Sequence, residues 1–151
     1  MTYTPKIDPS GQFADFAGIL FRDLGRLVGE VNVANGWDTS RAMVADPEAF
    51  DPRHHVAHKI ADLGLITTEV AEAIEEVRHG HEMTETYYPS VGSLFTEPPV
   101  HKPEGIPSEL ADVIIRVLDI ADAYGIDLGA AVVEKLNHNA TRGLHHGGKA
   151  L

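Results

Sequence analysis

The chain contains no cysteine, so neither a disulfide framework nor a thiolate metal site is available to it. It also lacks any apolar run close to the roughly 20 residues that a membrane helix needs, and residues 1–13 lack the basic-then-apolar layout of a secretory signal. Basic residues are scarce, since 12 lysines and arginines stand against 23 acidic residues. That balance argues against binding to nucleic-acid polymers or anionic membranes, because both attract basic surfaces. We therefore expect a cytoplasmic protein.

Apolar residues recur at spacings of three and four in four stretches, which predicts amphipathic helices over about 13–35, 51–80, 108–124 and 127–142. Asp51 and Asp127 are typical N-terminal caps of such helices. The segment 81–107 carries five prolines, so it is expected to be a long irregular loop. No stretch alternates as a β-strand does. The sequence predicts one all-α domain over 1–151, a bundle of four to five helices completed by homo-oligomerisation, with flexible tails at 1–12 and 144–151.

Two pairs of acidic residues lie on separate predicted helices: Glu69 with Glu72, and Glu109 with Asp112. Each pair is spaced i, i+3, so both of its carboxylates project from one helical face. Like charges held so close on an apolar helix repel each other unless a cation joins them. One such pair is usually no more than a solvated surface. Two pairs facing each other would instead supply the oxygen ligands that Mg²⁺ or Mn²⁺ prefers, so we predict a metal site.

Arg116 lies on the same face as the second acidic pair. Two roles are open for its guanidinium: it binds a substrate phosphate, or it forms a salt bridge with Asp112 or Asp119. Trp37 is the only tryptophan, and it also has two possible roles, as a core anchor or as a stacking surface for a nucleotide base.

The last predicted helix carries three polar side chains on one face, Lys135, Asn139 and Arg142. Together they offer ammonium, amide and guanidinium donors, which suits an anionic ligand such as a phosphate. The alternative is that the cations only stabilise the C-terminal end of the helix through its dipole.

Three segments together resemble the MazG-like branch of the all-α nucleoside triphosphate pyrophosphohydrolases: residues 68–78, 102–107 and 109–113, with Lys135, Asn139 and Arg142 behind them. The resemblance runs from about residue 36 to residue 149. It implies hydrolysis of a nucleoside triphosphate between its α and β phosphates, which yields a monophosphate and pyrophosphate. It also implies that Mg²⁺ is held by the two acidic pairs, and that a second subunit completes the bundle as a homodimer or homotetramer.

The chain departs from this family at the residue before the first acidic pair. Thr68 stands where many relatives have a glutamate able to activate water. The general base is then Glu69, Glu72, Glu76 one turn further on, or a metal-bound hydroxide. The connection between the acidic pairs is also longer than usual, so we expect it to form a lid or a base pocket.

Two other classes of protein compete with this interpretation. A di-iron or di-manganese carboxylate bundle uses Glu-x-x-His motifs on two helices, but this chain has one, from Glu76 to His79, and its second acidic helix has no histidine at that spacing. A non-catalytic helical regulatory module would carry the acids only as a solvated face. The complete set of four acids favours the enzyme.

Overall fold

The computed structural model describes residues 11–89 and 102–140. In these two ranges the chain forms five α-helices, a 3₁₀ turn at Pro47–Ala49 and no β-strand, so the all-α prediction is confirmed there. The helices are α1 (Gln12–Ala34), α2 (Thr39–Ala45), α3 (Pro52–Arg78), α4 (Ile106–Ala123) and α5 (Leu128–Ala140). The predicted tails, apart from residues 11 and 12, lie outside the described residues, as does Arg142. No helix in the described ranges is both long and apolar enough to cross a bilayer.

Both predicted N-terminal caps are present. The side chain of Asp51 accepts a hydrogen bond from the backbone N–H of Arg53 at 2.8 Å. Asp127 accepts one from the backbone N–H of Ala130 at 2.9 Å. The helix α4 begins at Ile106 instead of the expected residue 108. This earlier start places Pro107 in the first turn, where its missing N–H costs no intrahelical hydrogen bond.

The helix α4 is central, because it packs against α1 on one side and against α3 on another, while α5 packs against α1. Side-chain hydrogen bonds fasten the short α2 to this core. Asp62 of α3 accepts hydrogen bonds from the Ser40 hydroxyl at 2.9 Å and from the Tyr124 hydroxyl at 2.7 Å. Arg41 of α2 forms an ion pair with Asp119 of α4 at 2.7 Å. The hydrogen bond between Asp62 and Tyr124 also joins the interior of α3 to the residue that follows α4.

The apolar stripe of α3 points away from the rest of the chain. Its positions are spaced by four and three residues, and its apolar members are 42–65% exposed: Val56, Ile60, Leu63, Val70, Ile74 and Val77. The opposite face of α3, which packs against α4, carries Asp62 and Glu69. On α4, the apolar side chains of Leu110 and Ile114 are also exposed. Because α3 turns its polar face inward, nothing in the described part of this chain covers the stripe.

The crossing of α1 and α5 depends on two glycines in backbone contact. A Cβ atom at position 129 would lie 2.6 Å from the Cα of Gly18 and 2.9 Å from its nitrogen. Because backbone atoms cannot rotate aside, we expect Gly129→Ala to lower the free energy of unfolding by about 1–3 kcal/mol in chemical denaturation. The control is Gly64→Ala in α3, where a Cβ has nothing within 4 Å; it should stabilise by about 0.4–1 kcal/mol. Equal stabilities of the two variants would contradict this crossing.

Candidate metal centre

Three carboxylates meet where α3 packs against α4. The side chains of Glu69 and Glu72 come from α3 and that of Glu109 from the first turns of α4, and one ligand oxygen of each lies within 4.8 Å of the others. Glu69 and Glu109 are buried, with 7% and 4% of their surface exposed, whereas Glu72 is exposed. We call these three residues the acidic cluster. They are close enough to bind one divalent cation together, with Glu72 on the solvent side.

The carboxylate of Glu109 is held in an unfavourable environment. Burial raises its pKa, and the negative charges of Glu72 and Asp112 raise it further, while Lys102 opposes the shift. In the ranges that the structure describes, its carboxylate forms no hydrogen bond or ion pair, although its oxygens are not completely enclosed, since Nδ1 of His58 is the one fully buried side-chain polar atom without a partner there. Buried carboxylates normally have such partners, because burying the charge alone is costly. A bound cation would remove this cost.

Asp112, the fourth predicted ligand, lies one turn along α4 from Glu109 and is half-buried. It is not among the three carboxylates whose oxygens lie within 4.8 Å of one another. The pKa of Asp112 is raised, mainly by burial and next by the negative charge of Glu69. The positive charges of Lys102 and Arg116 oppose this shift. The structure therefore brings three of the predicted ligands together and leaves the fourth in electrostatic contact with them.

Arg116 crosses from α4 to α3. Its Nε donates a hydrogen bond to Oε1 of Glu69 at 2.9 Å. Arg116 thus forms a salt bridge, as one of the two alternatives predicted, but its partner is Glu69 and not Asp112 or Asp119. Asp119 is instead paired with Arg41. The positive charge of the guanidinium compensates the negative charge of the buried Glu69, and the hydrogen bond fixes the position of one carboxylate oxygen.

Glu76, a candidate general base, lies one turn beyond Glu72 on α3. Both of its carboxylate oxygens accept from the hydroxyl of Tyr87, at 3.3 and 3.2 Å, and a ring nitrogen of His81 lies 3.7 Å away. The rings of His81 and Tyr87 are stacked, with centroids 4.6 Å apart. Glu76 is thus tied to the segment that follows α3 and is outside the acidic cluster. Its role as a base stays a prediction.

Residues that precede and follow the undescribed range 90–101 are paired next to the start of α4. The backbones of Tyr87 and Glu104 exchange two hydrogen bonds, at 3.1 and 2.9 Å. Gly105 follows with a φ of +102°, and a Cβ there would strike the carbonyl oxygen of Glu85, so glycine is required. Lys102 lies two residues before Glu104, and its Nζ lies 3.0 Å from a carboxylate oxygen of Glu104.

No role was assigned to Lys102 from the sequence. The available signal was its place, since a lysine precedes the turn that leads directly into the second acidic pair. Sequence spacing does not disclose which way a loop residue faces. The reciprocal shifts in pKa that link Lys102 with Glu109 and Asp112 show that its charge acts on this site.

Three further predicted substrate residues lie in the described part of the chain, and they are not assembled with the acidic cluster. Lys135 and Asn139 lie exposed on α5, which packs on α1, whereas the cluster lies between α3 and α4. In the described part of the chain, no hydrogen bond or ion pair joins either residue to the cluster. Trp37 is 66% exposed, so its core-anchor alternative is wrong within one chain. Substrate binding by these residues stays a prediction.

Comparison with known proteins provides no relative: no protein-family model matches the chain, and no curated protein or solved structure is significantly similar to it. A function has to be inferred from the acidic cluster and from the motifs of the chain itself.

Proposed function

We propose that the protein is a Mg²⁺-dependent nucleoside triphosphate pyrophosphohydrolase of the MazG-like type. It would cleave ribo- or deoxynucleoside triphosphates between the α and β phosphates, with Mn²⁺ as a possible substitute for Mg²⁺. The observation that carries this proposal is the acidic cluster itself, in which a buried Glu109 without a donor among the described residues faces two further carboxylates. Oxygen-only ligands of this kind match the preference of Mg²⁺ and Mn²⁺.

The residues around the cluster have separable tasks. Glu69, Glu72 and Glu109 would hold the metal, and Asp112 would complete the set as the negative charge next to them. Arg116 fixes the orientation of Glu69. A bound Mg²⁺ would neutralise charge on the phosphates and lower the pKa of the attacking water. Because the metal carries most of this chemistry, the chain needs chiefly to position its ligands and the phosphates.

The rival classes gain no support from the described residues. A di-metal site with histidine ligands would need an imidazole in the cluster, but His81 instead contacts Glu76 and Glu85 and stacks on Tyr87. A merely solvated acidic face is also a poor description, because Glu109 is buried. We therefore propose no second function.

We further propose that a second copy of the chain covers the exposed stripe of α3, giving a homodimer or a homotetramer. The helix α1 also exposes several large apolar side chains, Phe16, Ile19, Leu20, Leu24, Leu27 and Val31. Helices that each expose a row of large apolar side chains are typical of surfaces that another protein chain covers. The proposed partners are thus a nucleoside triphosphate and other copies of this chain.

The direct test is to incubate the protein with Mg²⁺ and a panel of ribo- and deoxynucleoside triphosphates and to separate the products. We expect equal amounts of monophosphate and pyrophosphate from at least one substrate, and none after chelation of the metal. Diphosphate and orthophosphate would indicate attack at the γ phosphate and would contradict the proposal. The panel also identifies the preferred base and sugar.

A further inference from the structure

Lys102 presents a cation to the acidic cluster from outside the two helices that form it. Its side chain is 61% exposed, and its Nζ lies 3.0 Å from one carboxylate oxygen of Glu104. Its charge lowers the pKa values of both Glu109 and Asp112. The pKa of Lys102 is itself raised, first by the hydrogen bond to Glu104 and also by the charges of Glu104, Glu109 and Asp112. The ammonium is therefore accessible to a ligand, and it is close enough to the candidate metal centre for its charge to act on Glu109 and Asp112.

The backbone next to Lys102 is fixed relative to α4. Glu104 is paired with Tyr87 through two backbone hydrogen bonds. The hydroxyl of Ser108, in the first turn of α4, donates to the carbonyl oxygen of Pro103 at 2.9 Å. Glu109 follows directly in the same turn. Lys102 thus lies next to backbone that these hydrogen bonds hold in place, and only its own side chain needs to move to reach a ligand.

A cation in this place is unfavourable for binding a metal alone, because Lys102 and the metal would repel each other. The same cation favours a ligand whose negative charge is larger than the positive charge of the metal, as that of a triphosphate is. Arg116 is the other cation at the site, and it is already paired with Glu69. The side chain of Lys102 is instead 61% exposed and is paired with Glu104, which is 22% exposed, and a phosphate oxygen can take the place of that carboxylate.

We infer that Lys102 binds the phosphate chain of the metal-bound substrate, exchanging its ion pair with Glu104 for a charge-assisted hydrogen bond to a phosphate oxygen. This inference rests on the proposed function for the identity of the ligand, but it concerns binding and does not require hydrolysis. It also differs from the sequence-based expectation, in which the candidate phosphate-binding cations were Arg116 on α4 and Lys135 and Arg142 on the last helix.

The test compares Lys102→Gln and Lys102→Arg with the intact chain in two calorimetric titrations, one with Mn²⁺ alone and one with the Mn²⁺ complex of inorganic triphosphate. Lys102→Gln should weaken triphosphate binding by about 10- to 100-fold, the scale of a hydrogen bond between charged groups. The same variant should bind Mn²⁺ alone about two- to five-fold more tightly, because it no longer repels the metal. The gain is small because solvent screens the charge of an exposed lysine. Lys102→Arg should recover most of the triphosphate affinity. Lys59→Gln, an exposed lysine on α3, is the matched control and should change neither titration.

The opposite signs of the two effects distinguish a ligand-binding lysine from a structural one. If Lys102→Gln weakened both titrations together, the lysine would only support the fold and the inference would be wrong. Unchanged triphosphate affinity in Lys102→Gln, or no triphosphate binding by the intact chain, would overturn it as well. Lys102-dependent binding without release of pyrophosphate from any nucleotide would leave the inference standing and refute the proposed hydrolase.

Discussion

Replacing Glu109 by glutamine should reduce pyrophosphate release at least about a hundredfold, because losing one metal ligand removes several kcal/mol of stabilisation from the transition state. The substitution keeps the size of the side chain, so the packing of α4 against α3 is preserved. Glu109 is the most buried member of the acidic cluster. We expect the variant to remain folded, with the circular dichroism of the intact chain.

The same variant should respond differently to pH and to metal. The pKa of Glu109 is raised in the folded chain, so between its ordinary value and the raised value the folded state binds more protons than the unfolded state. The metal-free protein should therefore lose stability as the pH rises through this window, and Glu109→Gln should lose less. At neutral pH the metal-free variant should be at least as stable as the intact chain.

Bound metal should reverse this order of stability, so that the intact chain becomes more stable than Glu109→Gln. Mg²⁺ at about 100 times its dissociation constant should stabilise the intact chain by about 2.7 kcal/mol, because it binds only the folded state. The stabilisation of Glu109→Gln should be much smaller. Thermal unfolding with and without Mg²⁺, together with a pyrophosphate assay on the same samples, measures all three effects.

The matched control for this experiment is Glu75→Gln. Glu75 lies on α3 outside the cluster, where it is exposed and paired with Arg78 at 2.7 Å. A surface pair of this kind contributes about 0.3–0.5 kcal/mol, so activity and the response to metal should be retained. If Glu109→Gln kept full activity, the cluster would not be the metal site. If it unfolded the chain, Glu109 would have a structural role that its unpaired carboxylate does not suggest.

Placing a charge on the exposed stripe of α3 should dissociate the proposed oligomer. Ile60 is 65% exposed in the single chain, and Leu63 next to it on the stripe is 59% exposed. In a two-fold interface the same substitution occurs twice, and each buried unpaired carboxylate costs about 3–5 kcal/mol. Ile60→Glu should therefore raise the dimer dissociation constant by at least about a hundredfold.

Sedimentation at micromolar concentration measures this prediction. The intact chain should sediment as a dimer or tetramer, with an interface above about 2,000 Å² as in obligate oligomers, and Ile60→Glu should sediment as a monomer or unfold. Ala57→Glu adds the same charge to an exposed position of α3 outside the stripe, and it should leave the oligomer intact. A monomeric intact chain would contradict the prediction. Dissociation by both variants would show that added charge alone is sufficient.

The sequence alone determined the four long helices and the spacing of the acidic pairs, but not the short helix α2. The caps at Asp51 and Asp127 are as expected, and the carboxylates of Glu69 and Glu72 do lie together. These features could be predicted because they are local: a helical period of 3.6 residues fixes which side chains share a face, and a cap needs only the next three residues.

Only the tertiary structure decided which side chains meet across helices. The packing of α3 on α4 brings Glu109 to the first pair and pairs Arg116 with Glu69 instead of with Asp112 or Asp119. The fold also places the charge of Lys102 where it acts on Glu109. It also turned the polar face of α3 inward and its apolar stripe outward. A helical pattern contains two faces but does not state which one the neighbouring helix covers. That choice depends on the packing of whole helices, where burial of the apolar stripe can be supplied by a second copy of the chain.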